Sequence, residues 1–334
     1  SSIFMIFISP FFREAMPFFN NYLPILHNIF FIFGIGIFFA AIILVSIISI
    51  LDKKSEPLAI AINFICVFIS FFISSYKIGN LSYPIDQHHY YEMIFWGGGH
   101  LLQFIYTAGL ICVYYEIFKD YQLPVDRNIF LWLNTLLVIP IPFIQMMIDI
   151  DSSYYFSLFT NHMKICGGVG ISAAAISVII GLVPKRKVKI DNFSFYILSL
   201  SLLMFLYGGF LGLMISGTNV SIPAHYHGSI VGITIGFMGY IYLKIHKNIN
   251  TINLKLATKQ LVIYFLGQLI HISALAYSGG YGAMRKTPGV DLPLNAKLAM
   301  GFMGAGGLLA IVAGLMFVYI CSKSIFYRGK NEAI

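Results

Sequence analysis

Long apolar stretches dominate the chain, and short polar segments separate them. About nine stretches reach the roughly 20 residues that a membrane-spanning helix needs. They lie near residues 24–50, 57–76, 88–118, 129–148, 157–183, 193–216, 222–245, 259–279 and 296–321. No repeat and no long linker interrupts the pattern. The pattern therefore predicts an all-α fold, a polytopic membrane helix bundle that forms one domain over residues 22–334.

The first 21 residues form a separate apolar segment. Pro10, Arg13, Glu14 and Pro17 interrupt it, and prolines and charges are unusual inside a spanning helix. Two interpretations remain open at this point. The segment is either an interfacial helix or the end of a tenth, truncated membrane helix.

The composition excludes several classes of protein. Of 334 residues, 58% are hydrophobic and only 10% are charged, whereas about a quarter of the residues of a soluble domain are charged. A soluble enzyme, a disordered adaptor and a small secreted disulfide scaffold are therefore excluded. The four cysteines are far apart and lie mostly within apolar runs, which favours a structural role for them.

The basic residues predict the orientation in the membrane. Fifteen of the 21 lysines and arginines fall in alternate loops, and these loops are expected to face the cytoplasm. The net charge of +8 is then a consequence of topology and does not indicate nucleic-acid binding. The fifteen residues are Lys53, Lys54, Lys119, Arg127, Lys185, Arg186, Lys187, Lys189, Lys244, Lys247, Lys255, Lys259, Lys323, Arg328 and Lys330.

Histidines supply the candidate chemistry, because an ionisable side chain inside a membrane is usually functional. His225 and His227 are two residues apart, which is about 200° of rotation on a helix, so they point to opposite faces and each is able to hold a separate haem. His27 is expected at a similar depth near the outer side, where it pairs with one of them as a bis-imidazole haem site. The alternative is that all three are hydrogen-bonded interface residues.

A second informative segment is the Phe-Trp-Gly-Gly-Gly-His sequence at 95–100. Three glycines followed by a histidine predict a closely packed groove with a metal ligand, His100, deep in the bilayer. Close helix packing without a metal is the competing interpretation.

Taken in order, these segments resemble catalytic subunit I of the haem-copper oxidase superfamily, which includes cytochrome c oxidases and nitric oxide reductases. The strongest match is residues 205–245, where Tyr-Gly-Gly-Phe-Leu-Gly is followed by Ala-His-Tyr-His. The Phe-Trp-Gly-Gly-Gly-His sequence and residues 148–156 also resemble conserved segments of that family. The resemblance covers roughly residues 22–325.

The resemblance implies a role for each matching residue. His225 would ligate the high-spin haem of the active site, and His27 and His227 would ligate the low-spin haem. Arg285 and Lys286 would contact the haem propionates, and His100 would bind the active-site copper.

Departures from the family pattern concern the copper site. Ile141 and Pro142 stand where the family has two copper-ligating histidines, and Phe104 stands where the oxidases have a tyrosine. We hypothesise that His100 and His162 hold copper or another non-haem metal instead, with water or Gln103 completing the coordination. The alternative is that both histidines form hydrogen bonds within a pocket that has lost its metal.

Three functions follow as expectations. The first is a respiratory oxidoreductase subunit that passes electrons from the low-spin haem to a high-spin haem that reduces oxygen or nitric oxide. The second is a non-catalytic diheme cytochrome, and the third, less consistent with the ordered haem-ligand matches, is a transporter with a histidine proton relay. Because the chain lacks a CxxCH haem-attachment motif, the first two need other membrane subunits and a c-type cytochrome or cupredoxin donor, which we expect to dock near Asp86 and Glu92.

Overall fold

The computed structural model describes residues 2–12, 17–18, 25–26, 28–52, 54–182, 191–217, 219–249, 251–283 and 292–331. Within these ranges the chain is almost entirely helical. The helices are α1 (Ser2–Ile8), α2 (Ile29–Asp52), α3 (Ser55–Gly79), α4 (Gln87–Ile117), α5 (Arg127–Val138), α6 (Pro140–Met146), α7 (Ser153–Cys166), α8 (Val169–Leu182), α9 (Asn192–Leu213), α10 (Ser221–Ile249), α11 (Leu254–Gly280) and α12 (Leu294–Asn331).

The N-terminal segment does not form a spanning helix over its described residues. After α1, a short 3₁₀ helix covers Ser9–Phe11. Two strands of two residues each, β1 (Pro17–Phe18) and β2 (Ile25–Leu26), then pair in antiparallel register. The described part of this segment is therefore a short apolar helix and a small strand pair.

Eight helical segments of the described chain are long and apolar enough to cross a membrane. They are Ile29–Leu51, Glu56–Gly79, Arg127–Met146, Ser153–Leu182, Asn192–Leu213, Ser221–Ile249, Leu254–Gly280 and Leu294–Phe326. This architecture is that of a polytopic integral membrane protein.

Eight of the nine expected spans match these segments, and α4 corresponds to the ninth. This helix is 31 residues long, but it is not among the eight apolar helices. Its sequence includes His88, His89, His100 and Gln103 as well as three consecutive glycines, and these residues reduce its hydropathy.

Two of the eight segments are interrupted. Pro140 and Pro142 follow the end of α5, and the helix restarts as α6, because proline lacks a backbone N–H and its ring clashes with the preceding turn. The second break is at Gly167 and Gly168, between α7 and α8. The sequence pattern predicted a continuous helix at both places.

Polar side chains outside the apolar runs fix where several helices start. Asp126 accepts a hydrogen bond from the backbone N–H of Asn128 at 2.8 Å, and Asp191 accepts one from Ser194 at 2.8 Å. Asn253 caps α11 through the N–H of Leu256 at 3.1 Å. Each cap satisfies a backbone donor that the first turn of a helix leaves unpaired.

The chain divides into two compact units. The first comprises residues 1–109 and 126–173, and the second comprises 110–125 and 174–334. In the first unit, Phe104, Tyr155 and Phe159 are fully buried in an apolar core. In the second unit, the core includes Met204, Ile235 and Tyr242.

Candidate functional site

The histidine pair lies in the second turn of α10, within the second unit. The start of this helix is fixed by Asn219, whose Oδ1 accepts the backbone N–H of Ser221 at 2.9 Å. His225 and His227 are both partly buried. The two rings contact different neighbours, α9 on one side and α11 on the other, which confirms the predicted opposite faces.

His225 is held against α9. Its Nδ1 lies 2.7 Å from the carbonyl oxygen of Gly208, and since a carbonyl accepts only, Nδ1 carries the proton. The ring also occupies the space beside Gly212, where an added Cβ would lie 2.6 Å from Nδ1. Glycine at 212 therefore leaves room for the imidazole.

The contact between α9 and α10 is unusually close beside His225. A Cβ added at Gly208 would lie 2.2 Å from the backbone nitrogen of Ser229, and one at Gly228 would lie 2.6 Å from the Cα of Gly208. Small residues allow two helix backbones to approach in this way. The approach places the Gly208 carbonyl within reach of His225.

His227 faces α11. Its Nδ1 donates to the carbonyl of Pro223 at 2.8 Å, and its ring centre lies 4.9 Å from that of Tyr226 and 5.7 Å from that of His271. His271 in turn donates through Nδ1 to the carbonyl of Met303 on α12 at 2.9 Å.

The sequence indicated only an internal hydrogen bond for His271, which the bond to Met303 confirms; it did not indicate the contact with His227. Only four residues separate α10 from α11 in the sequence, which makes the two helices antiparallel neighbours. His227 lies 22 residues before the end of α10, whereas His271 lies 17 residues after the start of α11. The short connection therefore indicated that the two helices pack together, but spacing alone did not pair these two residues.

A cavity of about 320 Å³ adjoins this second histidine pair, between α10, α11 and α12. The side-chain oxygen Oε1 of Gln268 is buried and has no hydrogen-bond partner within the described chain. The lining residues are His227, Gln268, His271, Gly307, Ala310 and Ile311.

His100 lies on α4 in the first unit, in a closely packed environment. Its Nδ1 donates to the carbonyl of Trp96 at 2.5 Å, and its ring centre is 4.9 Å from that of Trp96. A Cβ added at Gly97 would lie 2.8 to 3.0 Å from side chains of α3 and α7, and one at Gly98 would lie 2.7 Å from Phe71. The close packing predicted from the glycine run is confirmed at these two positions.

His162 on α7 supports the break between α5 and α6. Its Nε2 donates to the carbonyl of Leu137 at 2.9 Å, and its ring stacks on Phe104 with ring centres 5.0 Å apart. Pro140 and Pro142 lack the N–H groups that would bond the carbonyls of Leu136 and Val138 in a continuous helix, and the side chain of His162 serves the carbonyl between these two. The other ring nitrogen, Nδ1, is buried without a hydrogen-bond partner in the described chain.

The structure thus gives His100 and His162 separate backbone partners. Across the described residues, no group of three or more histidines, cysteines, aspartates and glutamates is arranged to hold a metal. Ile141 and Pro142 are buried in α6. A two-imidazole site at His100 and His162 stays a prediction, and the unpartnered Nδ1 of His162 is the atom available to it.

Three predicted residues fall outside the described ranges. They are His27, Arg285 and Lys286. Their predicted roles as a haem ligand and as partners of haem propionates remain predictions.

Acidic residues organise the loops around the start of α4 and α7. Asp86 accepts the backbone N–H of His89 at 3.0 Å, and His88 lies 3.9 Å from Glu92. Tyr83 donates its hydroxyl to Asp151 in the loop before α7, and this hydrogen bond, followed by burial, raises the pKa of Tyr83 above its ordinary value. The predicted docking residues Asp86 and Glu92 are therefore also engaged in local structure.

The chain is 35% identical to the uncharacterized protein RP382 of Rickettsia prowazekii (strain Madrid E), over 92% of this chain and 71% of that protein. The chain belongs to the family of that protein. The chain is also similar to an uncharacterized protein of Aquifex aeolicus (strain VF5), to which it is 29% identical over 72% of this chain and 62% of that protein. No protein-family profile matches the chain.

Proposed function

We propose that the chain is the haem-binding membrane subunit of a respiratory oxidoreductase. In this proposal, electrons pass from a low-spin haem with two imidazole ligands to a high-spin haem that reduces a small gas, either oxygen or nitric oxide. His227 ligates the first haem, with His27 as the partner implied by the resemblance to haem-copper oxidases. His225 ligates the second haem, and the resemblance implies that His100 is a ligand of the active-site metal.

The observation that carries the proposal is which ring nitrogen carries the proton in the two imidazoles of α10. Nδ1 of His225 donates to Gly208, and Nδ1 of His227 donates to Pro223. A ligating histidine usually donates its other ring N–H to an acceptor of this kind, which fixes the tautomer and orients the ring. Nε2 of each neutral ring is then the unprotonated nitrogen that a metal requires.

The donor set fits haem iron, since neutral imidazole is a common axial ligand. His225 and His227 would each hold one iron, and Arg285 and Lys286 would neutralise propionates. When bound, haem supplies one-electron chemistry and, where one axial position is open, gas binding. The role of the protein is to fix the two ligands on opposite sides of a single helix.

Location and partners follow from the same proposal. We place the chain in a bacterial inner membrane with its basic loops in the cytoplasm. Other membrane subunits, and a c-type cytochrome or cupredoxin that approaches from the outer side, supply electrons.

A non-catalytic diheme cytochrome is the second candidate. The observation that favours it is at His162, whose Nε2 serves the Leu137 carbonyl at a helix break. In that case the copper site is degenerate, and the chain carries electrons within a larger complex without reducing a gas.

Reduced-minus-oxidised optical spectroscopy of the purified protein, with and without carbon monoxide, tests the proposal together with iron and copper analysis. The oxidoreductase predicts two haem irons per chain, one of which shifts its spectrum with carbon monoxide. Two haems with no response to carbon monoxide would favour the electron carrier. A protein without haem would contradict both candidates.

Matched variants assign the ligands. His225→Ala is expected to abolish the carbon monoxide response and to leave the low-spin haem spectrum, whereas His227→Ala is expected to do the reverse. His246→Ala, near the other end of α10, is the control and retains both signals. Loss of the same haem in the His225 and His227 variants would contradict the assignment of separate haems.

A further inference from the structure

The cavity beside His227 contains an unusual set of polar atoms. Nδ1 of His227 and Nδ1 of His271 each carry a proton that a backbone carbonyl accepts. In the neutral rings, the remaining nitrogens, Nε2, are therefore acceptors. Oε1 of Gln268 is a third acceptor, and it is buried without a partner in the described chain.

Acceptors grouped around one cavity suit a donor or a cation. The residues that line the cavity include no lysine, arginine or other obligatory cation among those described. An unsatisfied buried acceptor costs about 1–3 kcal/mol, so the unpartnered Oε1 of Gln268 is better explained by a bound group that accepts electron pairs. A metal ion is such a group, and imidazole nitrogen suits iron, copper and zinc.

The separation of the two rings is suitable for one shared metal. With a metal-to-nitrogen distance of about 2 Å, two imidazoles on one metal have ring centres about 5 to 6.5 Å apart, depending on the angle at the metal. The ring centres of His227 and His271 are 5.7 Å apart and the ring planes are inclined by 75°.

His271 is also held firmly in place. Its Nδ1 is fixed by Met303, and Gly306 and Gly307 on α12 lie directly against it. An added Cβ at Gly306 would be 2.6 Å from the backbone nitrogen of His271, and one at Gly307 would be 3.3 Å from its Nδ1. A ligand fixed by its surroundings in this way binds a metal without having to be reordered first.

We propose that His227 and His271 ligate the same metal through Nε2, so that the second imidazole of the His227 centre comes from α11 and not from His27. This inference rests on the proposed function, in which His227 is a metal ligand. The metal is either haem iron or a single ion such as copper, for which Gln268 Oε1 is a third ligand. Both share the requirement for two neutral imidazoles.

The test compares four variants of the purified full chain: His227→Ala, His271→Ala, His27→Ala and the control His246→Ala. Metal content, extracted haem and the electron paramagnetic resonance signal of the oxidised protein are measured. We expect the His227 and His271 variants to lose the same signal. Their content of the corresponding metal should be at least five-fold lower than that of the unmodified protein. The His246 variant should retain both, and the inference predicts the same for His27→Ala, against the haem-ligand role that the resemblance implies for His27.

Further variants separate ligation from a structural role of His271. In folded His271→Gly, added imidazole should restore the signal, since it replaces the missing ligand. His271→Met should keep the centre and shift its spectrum and potential, because thioether sulfur also ligates iron and copper. Unchanged spectra in His271→Met, or no restoration in a folded His271→Gly protein, would overturn the inference.

The outcomes distinguish the inference from the proposed function. If His227→Ala and His27→Ala remove one signal and His271→Ala retains it, the inference fails and the proposed function stands. If His227→Ala changes no metal or spectrum, the proposed role of His227 fails as well. Extracted haem equal to the lost iron identifies haem, whereas lost copper or zinc with unchanged haem identifies a single ion.

Discussion

Replacing Gly208 by alanine is expected to force α9 and α10 apart. The added Cβ would lie 2.2 Å from the backbone nitrogen of Ser229 and 2.5 Å from the carbonyl carbon of Gly228. Ordinary van der Waals contact begins at 3.4 Å. The two backbones must therefore separate locally by more than 1 Å, because main-chain atoms within a helix cannot rotate away as a side chain does.

The expected cost follows from overpacking. Inserting a methyl group into a well-packed contact destabilises a protein by about 1–3 kcal/mol. Alanine in place of glycine also favours a helix by up to about 1 kcal/mol, which would partly hide the effect. Gly209→Ala is the matched control, since nothing lies within 4 Å of a Cβ there and the gain in helix propensity is the same.

Thermal unfolding of both variants in detergent, followed by circular dichroism, measures the difference. Gly208→Ala should melt at a lower temperature than Gly209→Ala, by an amount that corresponds to about 1–3 kcal/mol. The Gly208 variant should also perturb the spectrum of any haem on His225, whose Nδ1 donates to the Gly208 carbonyl. Equal melting temperatures for the two variants would refute the argument from backbone contact.

Two further predictions concern the first unit. Gln145→Met should lower the free energy of unfolding by about 1–3 kcal/mol, because buried Gln145 accepts a hydrogen bond from Ser70 at 2.7 Å. Thermal unfolding checks this, and the control Ser49→Ala, which removes an exposed hydrogen bond within one helix, should change the stability little. Asp151→Asn should lower the pKa of Tyr83 towards its ordinary value, because the hydrogen bond to Asp151 raises it, and NMR of labelled tyrosine measures the shift. The pKa of Tyr83 is higher in the folded protein than in the unfolded chain, so the contact with Asp151 stabilises the protein at neutral pH. This stabilisation is lost only as the pH rises above the ordinary tyrosine pKa. A Tyr83→Phe variant that is less stable than the unmodified protein only in that alkaline range would contradict the reasoning.

The sequence was sufficient to predict the membrane helices and the arrangement of the α10 histidines. Helix length and apolar content determine where a chain can span a bilayer, and α9 to α12 lie close to the predicted ranges. The opposite orientation of His225 and His227 follows from helix geometry alone. Both are local properties of a single segment.

Properties that depend on two segments were not predicted. The contact of His227 with His271 depends on how α10 and α11 pack, and the bond of Tyr83 to Asp151 joins two distant loops. Pro140 itself was visible in the sequence as a site where the helix could break. The sequence did not show that His162, on another helix, donates a hydrogen bond to the Leu137 carbonyl at that break.

The interrupted span of α5 and α6 has a consequence for how the protein is made. The Leu137 carbonyl receives the imidazole of His162, and that histidine belongs to a helix synthesised later. A carbonyl without a hydrogen-bond donor is costly in lipid, and α5 and α6 lack this donor when they leave the ribosome. Their insertion should therefore remain reversible, or they should stay within the translocation machinery, until α7 has been synthesised.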